Sequence, residues 1–222
     1  MVREQIANAC KAVGRDIETV TLIAVTKGFP ADDIRILADL GVTDVGESRS
    51  AEGQAKRTEV SEYALTWHCI GQVQTNKAAH VARWADMIHG VDRPGLVVAL
   101  ERAAGAQSRS LDVLAQVDVL PGHSPRSDGS SRGGCPVADL ASLADSVAES
   151  SMLRLRGVMT VADPTLDPAW VFGELAQVSA DLRLRYPTAD VVSAGMSGDF
   201  RQALAAGATH LRIGSAILGE RA

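Results

Sequence analysis

The chain has 222 residues, 46% of them hydrophobic and 22% charged, which is enough to bury a full core. With 22 basic against 27 acidic residues the net charge is −5, no basic run is present and aromatics are only 4%, so nucleic acid is a poor partner. The three cysteines, Cys10, Cys69 and Cys135, are isolated in sequence, which fits neither a disulfide framework nor a zinc site and points to a reducing cytoplasm.

The first segment, MVREQIANACKAVGRD, reads as an amphipathic helix without the apolar stretch of a secretion signal, and no run approaches the roughly eighteen apolar residues of a membrane span. Strands are then predicted at 20–26 (VTLIAVT), 43–46 (TDVG), 65–70 (LTWHCI), 86–89 (DMIH), 112–119 (DVLAQVDV), 153–159 (LRLRGVM), 190–193 (DVVS) and 209–213 (THLRI). Helical periodicity separates them, for example at 31–40, 94–106, 137–150 and 168–186. Strands alternating with helices imply parallel pairing through crossover connections. Eight such units predict an α/β fold, a single (β/α)8 TIM barrel over residues 1–222 with an extra N-terminal helix; an open doubly wound sheet is the alternative. The Gly-, Ser- and Pro-rich stretch 121–134 is predicted to be a mobile loop.

Barrel chemistry sits at the C-terminal ends of the strands. That rule places Lys27 at the mouth after strand one, Glu47, Ser48 and Arg49 after strand two, Gly71 to Lys77 after strand three and His89 after strand four. A lone lysine there is ordinarily one that lays its stem on the core and keeps its amine in water. Desolvated at a barrel mouth, it is also a nucleophile that condenses with an aldehyde to a Schiff base. The stretches SAGMSGD (193–199) and RIGSAILGE (212–220) combine glycines and hydroxyls where strands seven and eight give way to helices, the region in which barrels often hold phosphate. Helix capping by Ser197 or Asp199 is compatible with that use. An aldehyde-capturing lysine plus a phosphate cradle, without a Walker or dinucleotide fingerprint, points to pyridoxal 5'-phosphate. His68, inside strand three, reads as a core residue with its polar atoms satisfied, and Asn76 and Lys77 as a helix cap with a surface lysine or as groups lining the mouth.

These motifs carry a resemblance. LIAVTKGFP, VGESRSAE, WHCIGQVQTNKA, GVMTV, SAGMSGD and RIGSAILG, in this order, resemble the blocks of the pyridoxal phosphate homeostasis protein family, whose barrel is similar to the N-terminal domain of alanine racemase. The resemblance implies a Schiff base on Lys27, a phosphate held by Ser197, Gly214 and Ser215, and Arg212 at the pyridine nitrogen. Without the motif, Arg212 reads as a strand residue paired with an acid. Ser48, Asn76 and Met196 are the further cofactor-binding positions implied, Met196 by packing near the ring. The sequence departs from the family at Ser48, where an Asn is usual, at Gly198, where an acid or amide is usual, and in the length of 121–134.

The resemblance implies a carrier and regulator of cofactor supply in the cytoplasm, with apo enzymes as recipients, rather than a catalyst. The competing reading is a racemase-like enzyme using Lys27 as base. Racemisation needs proton-transfer groups on both faces of the substrate. The two tyrosines, Tyr63 and Tyr186, fall in helix-to-strand connections at the other end of the barrel, and no second domain is expected after Ala222. A Schiff-base aldolase ranks last. The lack of an obvious apolar surface stripe predicts a monomer.

Overall fold

The computed structural model describes residues 2–120 and 133–219. Its strands are β1 (Thr21–Val25), β2 (Asp44–Glu47), β3 (Thr66–Cys69), β4 (Met87–Val91), β5 (Leu111–Asp118), β6 (Cys135–Pro136), β7 (Leu153–Met159), β8 (Val191–Ser193) and β9 (His210–Ile213). All pairings are parallel, in the order β4-β3-β2-β1-β9-β8-β7-β5, and β4 also pairs with β5, so these eight strands close into a barrel. The two-residue β6 adds to the end of β5, through Val117 with Cys135 and Asp118 with Pro136, and has no counterpart among the predicted strands. Most of the stretch predicted as a mobile loop, residues 121–132, lies outside the described residues.

The helices α1 (Val2–Ala12), α2 (Ala31–Asp39), α3 (Ser50–Glu59), α4 (Ala78–Trp84), α5 (Pro94–Ala106), α6 (Leu140–Ala148), α7 (Pro168–Arg185), α8 (Phe200–Ala205) and α9 (Ser215–Leu218) follow the extra-helix and crossover pattern. Their starts have local causes. Pro94 and Pro168 sit where a missing N–H costs nothing, and the Asp167 carboxylate accepts from the Ala169 N–H. Apolar residues at helical spacing then face the strands: Ile34 and Leu37 on α2, Leu96 and Leu100 on α5, Leu143 and Val147 on α6. Each such side chain contributes about 1.5–3 kcal/mol on burial, so this outer layer carries most of the fold. No helix among the described residues is long and apolar enough to cross a membrane.

Inside the ring the filling is split. Met87, Leu114, Met159 and Val191 form an apolar plug. Two residues further along their strands, on the same inward face, stand His89 on β4, Gln116 on β5 and Ser193 on β8, all buried. This corrects the expectation for His89. The polar His-Gly pair reads as a strand end, yet β4 continues to Val91, with its register against β5 shifting between Ile88 and Val91, and His89 lies wholly inside the barrel. Between β7 and β8 the backbones come close enough that only glycine fits at 157: its φ is +146° and an added Cβ would lie 1.9 Å from the Val191 carbonyl oxygen.

Candidate functional site

A cavity of about 700 Å3 opens at the C-terminal rim, between the ends of β1, β9 and β8. Lys27, Arg212, Met196, Ser197, Gly214 and Ser215 line it, with apolar walls from Val25, Phe29, Ile70 and Val161. Six of the eight expected cofactor positions thus meet around one space. The other two do not reach it. Ser48 turns its backbone onto Gly71, where an added Cβ would stand 2.6 Å from the Ser48 carbonyl, and Asn76 is exposed on the short helical turn Thr75–Lys77.

Lys27 follows β1 in a turn that a buried charge cluster holds in place. Phe29 N–H closes the turn onto the Thr26 carbonyl at 3.0 Å, and Gly28 takes a φ of +80°. Thr26 Oγ1 donates to Glu47 Oε1 at 2.7 Å from the neighbouring strand. Lys56, on α3 and only 6% exposed, donates to the Thr26 carbonyl at 2.8 Å and to Glu47 and Glu52 at 2.6 Å each. Glu52 in turn accepts from the Gly28 N–H. Burial pushes the Glu47 carboxyl up, against the opposing pull of Lys56; Glu52, also pushed up by burial, is held below the usual range by Lys56 and by that backbone N–H. The residues on either side of Lys27 are therefore fixed by ionic hydrogen bonds. Lys56 and Glu52 carry no sequence signal of this role, because a lysine on an otherwise polar helix reads as surface.

Two turns form the facing wall. In the first, Gly195 adopts a φ of +91° and packs so closely that an added Cβ would lie 2.7 Å from Ala203 Cβ. The Asp199 carboxylate accepts from the Met196 N–H at 2.6 Å, which leaves the Ser197 hydroxyl at the cavity, where it accepts from the Ala216 N–H of the second turn at 3.3 Å. At Gly198 an added Cβ would meet nothing within 4 Å, and at Gly214 only Val25 at 3.4 Å, an ordinary contact. No protein atom demands glycine at either place. Glycine at both places keeps side-chain bulk off the backbone that lines the cavity, which suits the close approach of an anion with several oxygens.

Arg212 projects from β9 into the same space. It is 4% exposed and forms no salt bridge among the described residues; Nη1 donates to Ser193 Oγ at 2.6 Å and Nη2 to the Thr160 carbonyl at 2.8 Å. Burial lowers its pKa to about 10, against support from Asp199, so it remains a cation at neutral pH. An amine on one side, hydroxyls on glycine-bearing turns on the other and a buried cation beside them are a set that suits a phosphorylated aldehyde with a ring nitrogen. The residues present fit pyridoxal 5'-phosphate.

The barrel and this site define a class. Residues 3–222 match the family model of the alanine racemase N-terminal domain. Full-length relatives are the pyridoxal phosphate homeostasis proteins of Escherichia coli K12, 38% identical over 99% of this chain and 94% of theirs, and of Pseudomonas aeruginosa, 37% identical over 99% and 93%. The structure of PipY from Synechococcus elongatus with PLP bound superposes with a TM-score of 0.82 at 32% identity, covering 97% of this chain and all of that one. The chain belongs to the alanine racemase N-terminal domain family, and within it to the pyridoxal phosphate homeostasis proteins.

Proposed function

We infer that the protein binds pyridoxal 5'-phosphate covalently through Lys27 and serves the cytoplasm as a carrier and regulator of that cofactor, handing it to apo enzymes. The observation that carries the reading is the convergence of Lys27, both glycine-bearing turns and Arg212 on one cavity. The names of its relatives and the PLP-bound PipY support it.

In this reading Ser197, Ser215 and the amides about Gly198 and Gly214 bind the phosphate, Met196 packs beside the ring, and Arg212 faces the ring nitrogen. When bound, the cofactor supplies an electron-withdrawing ring, and a permanent cation at its nitrogen disfavours protonation there and weakens that pull. The site thus favours holding over transforming. Tyr63 and Tyr186 engage Asp39 and Asp145 in the helix-to-strand connections, at the end of the barrel opposite the cavity, so neither serves as a second proton-transfer group. We further infer a single domain acting as a monomer.

The test is incubation with pyridoxal 5'-phosphate, borohydride reduction and peptide mapping by mass spectrometry. Label on Lys27, lost in Lys27→Ala, is the expected result. Label elsewhere overturns the assignment, and steady turnover of D- or L-alanine by the pure protein overturns the carrier role.

A further inference from the structure

The barrel axis holds a file of hydrogen bonds that cofactor binding does not account for. Asp44 Oδ1 lies 2.9 Å from His68 Nε2, His68 Nδ1 2.9 Å from His89 Nε2, and His89 Nδ1 2.9 Å from Ser193 Oγ, which accepts from Arg212. Arg212 borders the rim cavity. Asp44, at the far end, borders a second cavity of about 330 Å3 beside Thr21, Thr43 and Arg3. His89 and Ser193 are fully buried and His68 is 1% exposed, so the middle groups have each other as partners.

The chemistry of the two ends gives the file one direction. A guanidinium only donates, so the Ser193 oxygen accepts from Arg212 through one lone pair, and its hydroxyl hydrogen is free to go to His89 Nδ1. His89, which burial keeps neutral, then carries its proton on Nε2 and donates to His68 Nδ1. His68 carries its proton on Nε2 and donates to Asp44, whose carboxyl, despite burial, is held below the usual range by the hydrogen bonds from His68 and Thr43 and so only accepts. Reversing any one link would set two donors or two acceptors face to face. A satisfied buried network of this kind holds its members in a single arrangement.

We propose that Asp44, His68, His89 and Ser193 are positioning residues for Arg212, a one-way hydrogen-bond file anchored on the Asp44 carboxylate that orients the guanidinium at the cofactor cavity. The proposal rests on the reading that Arg212 meets the bound cofactor. Other charged or titratable groups surround the file: Asp199 acts on Arg212, His210 stands with its ring 6.2 Å from that of His68 and faces Asp44, and Asp190 and Arg156 act on His210.

The test uses nitrogen NMR of the imidazoles in the ligand-free protein, with signals assigned by His68→Gln and His89→Gln. Both rings are expected to carry their proton on Nε2, with Nδ1 as an acceptor. Asp44→Asn can offer an N–H to His68 in place of an acceptor, so His89, two links away, is expected to become a tautomer mixture, while Asp44→Glu retains the single form. A local structural role for Asp44 would not move His89. In the loaded protein, Asp44→Asn should also shift the pH profile of the bound chromophore's absorption. An Nδ1–H tautomer at either ring, an unmoved His89 in Asp44→Asn, or an unchanged pH profile overturns the proposal. Failure of Lys27 to take label overturns the cofactor reading and leaves the tautomer result standing, so the two failures are distinct.

Discussion

Lys56 Nζ stands 2.6 Å from Glu47 Oε1, and the two side chains are 7% and 0% exposed. Between them they brace the residue that precedes Lys27, since Thr26 is bonded to both. A buried pair of this kind contributes less through its own attraction than it would cost to halve. Lys56→Met leaves Glu47 buried without its cation and should lower stability by about 3–5 kcal/mol, measured by chemical denaturation. Lys56→Met with Glu47→Gln should recover part of that loss; a double variant no better than the single would count against the pairing.

Ser197→Ala and Ser215→Ala should each weaken cofactor binding by ~1.5–3 kcal/mol, about one hydrogen bond to a charged group. The loss should appear with pyridoxal 5'-phosphate and vanish with pyridoxal in equilibrium titrations. Equal losses with both ligands would remove the phosphate from this wall.

Stability should fall as the solution is acidified. Burial lowers the His210 pKa to about 4, from 6.5 in an unfolded chain, so below 6.5 the unfolded state takes up a proton that the folded state refuses. The contribution is complete above pH 6.5 and is lost as pH falls toward 4, worth about 3 kcal/mol. His89, pushed down by burial in the same direction, adds to the slope. Denaturation midpoints at the two ends of this window check the sign, and His210→Gln should flatten the dependence.

Gly157→Ala should abolish folding. With a φ of +146° and a Cβ placed 1.9 Å from a backbone oxygen of β8, the substitution forces two paired strands apart, at a cost above about 4 kcal/mol. Gly173, on α7, where an added Cβ meets nothing within 4 Å, is the control: Ala there should be harmless or mildly stabilising. Soluble yield and circular dichroism distinguish the two.

The cysteines should resist thiol reagents until the protein unfolds. All three are buried, and burial pushes the Cys69 and Cys135 thiols up to about 12, so neither offers a thiolate at neutral pH. Rapid native-state labelling with a maleimide would contradict the packing.

What the sequence made legible was periodic or punctuated. Helix 94–106 was predicted at its observed bounds because Pro94 opens it and Leu96, Val97, Leu100 and Ala104 keep one face apolar. The strand starts and ends agree within a few residues, since Gly, Asp and Pro mark the junctions. Lys27 and the two glycine turns are visible through their position at strand ends, whereas Arg212, inside β9, is marked only by the resemblance. The polar partners were not. Lys56 with Glu47, and His89 with Ser193 at a separation of 104 residues, meet only because the ring brings their strands and helices together, and no local pattern records such a meeting. Ser48 and Asn76 are not among the residues lining the cavity: a strand end tells which rim a residue occupies and not whether it turns inward.

Lys27, the proposed anchor, follows β1 and half of the facing wall follows β9, hydrogen-bonded neighbours that are the first and last strands of the ring. The seam between them exists only once every intervening unit has taken its place, so a chain emerging from the ribosome carries the reactive amine long before it carries the opposing wall. Ligand capture is therefore a report on completed synthesis, and occupancy favours the closed ring over any partly assembled form.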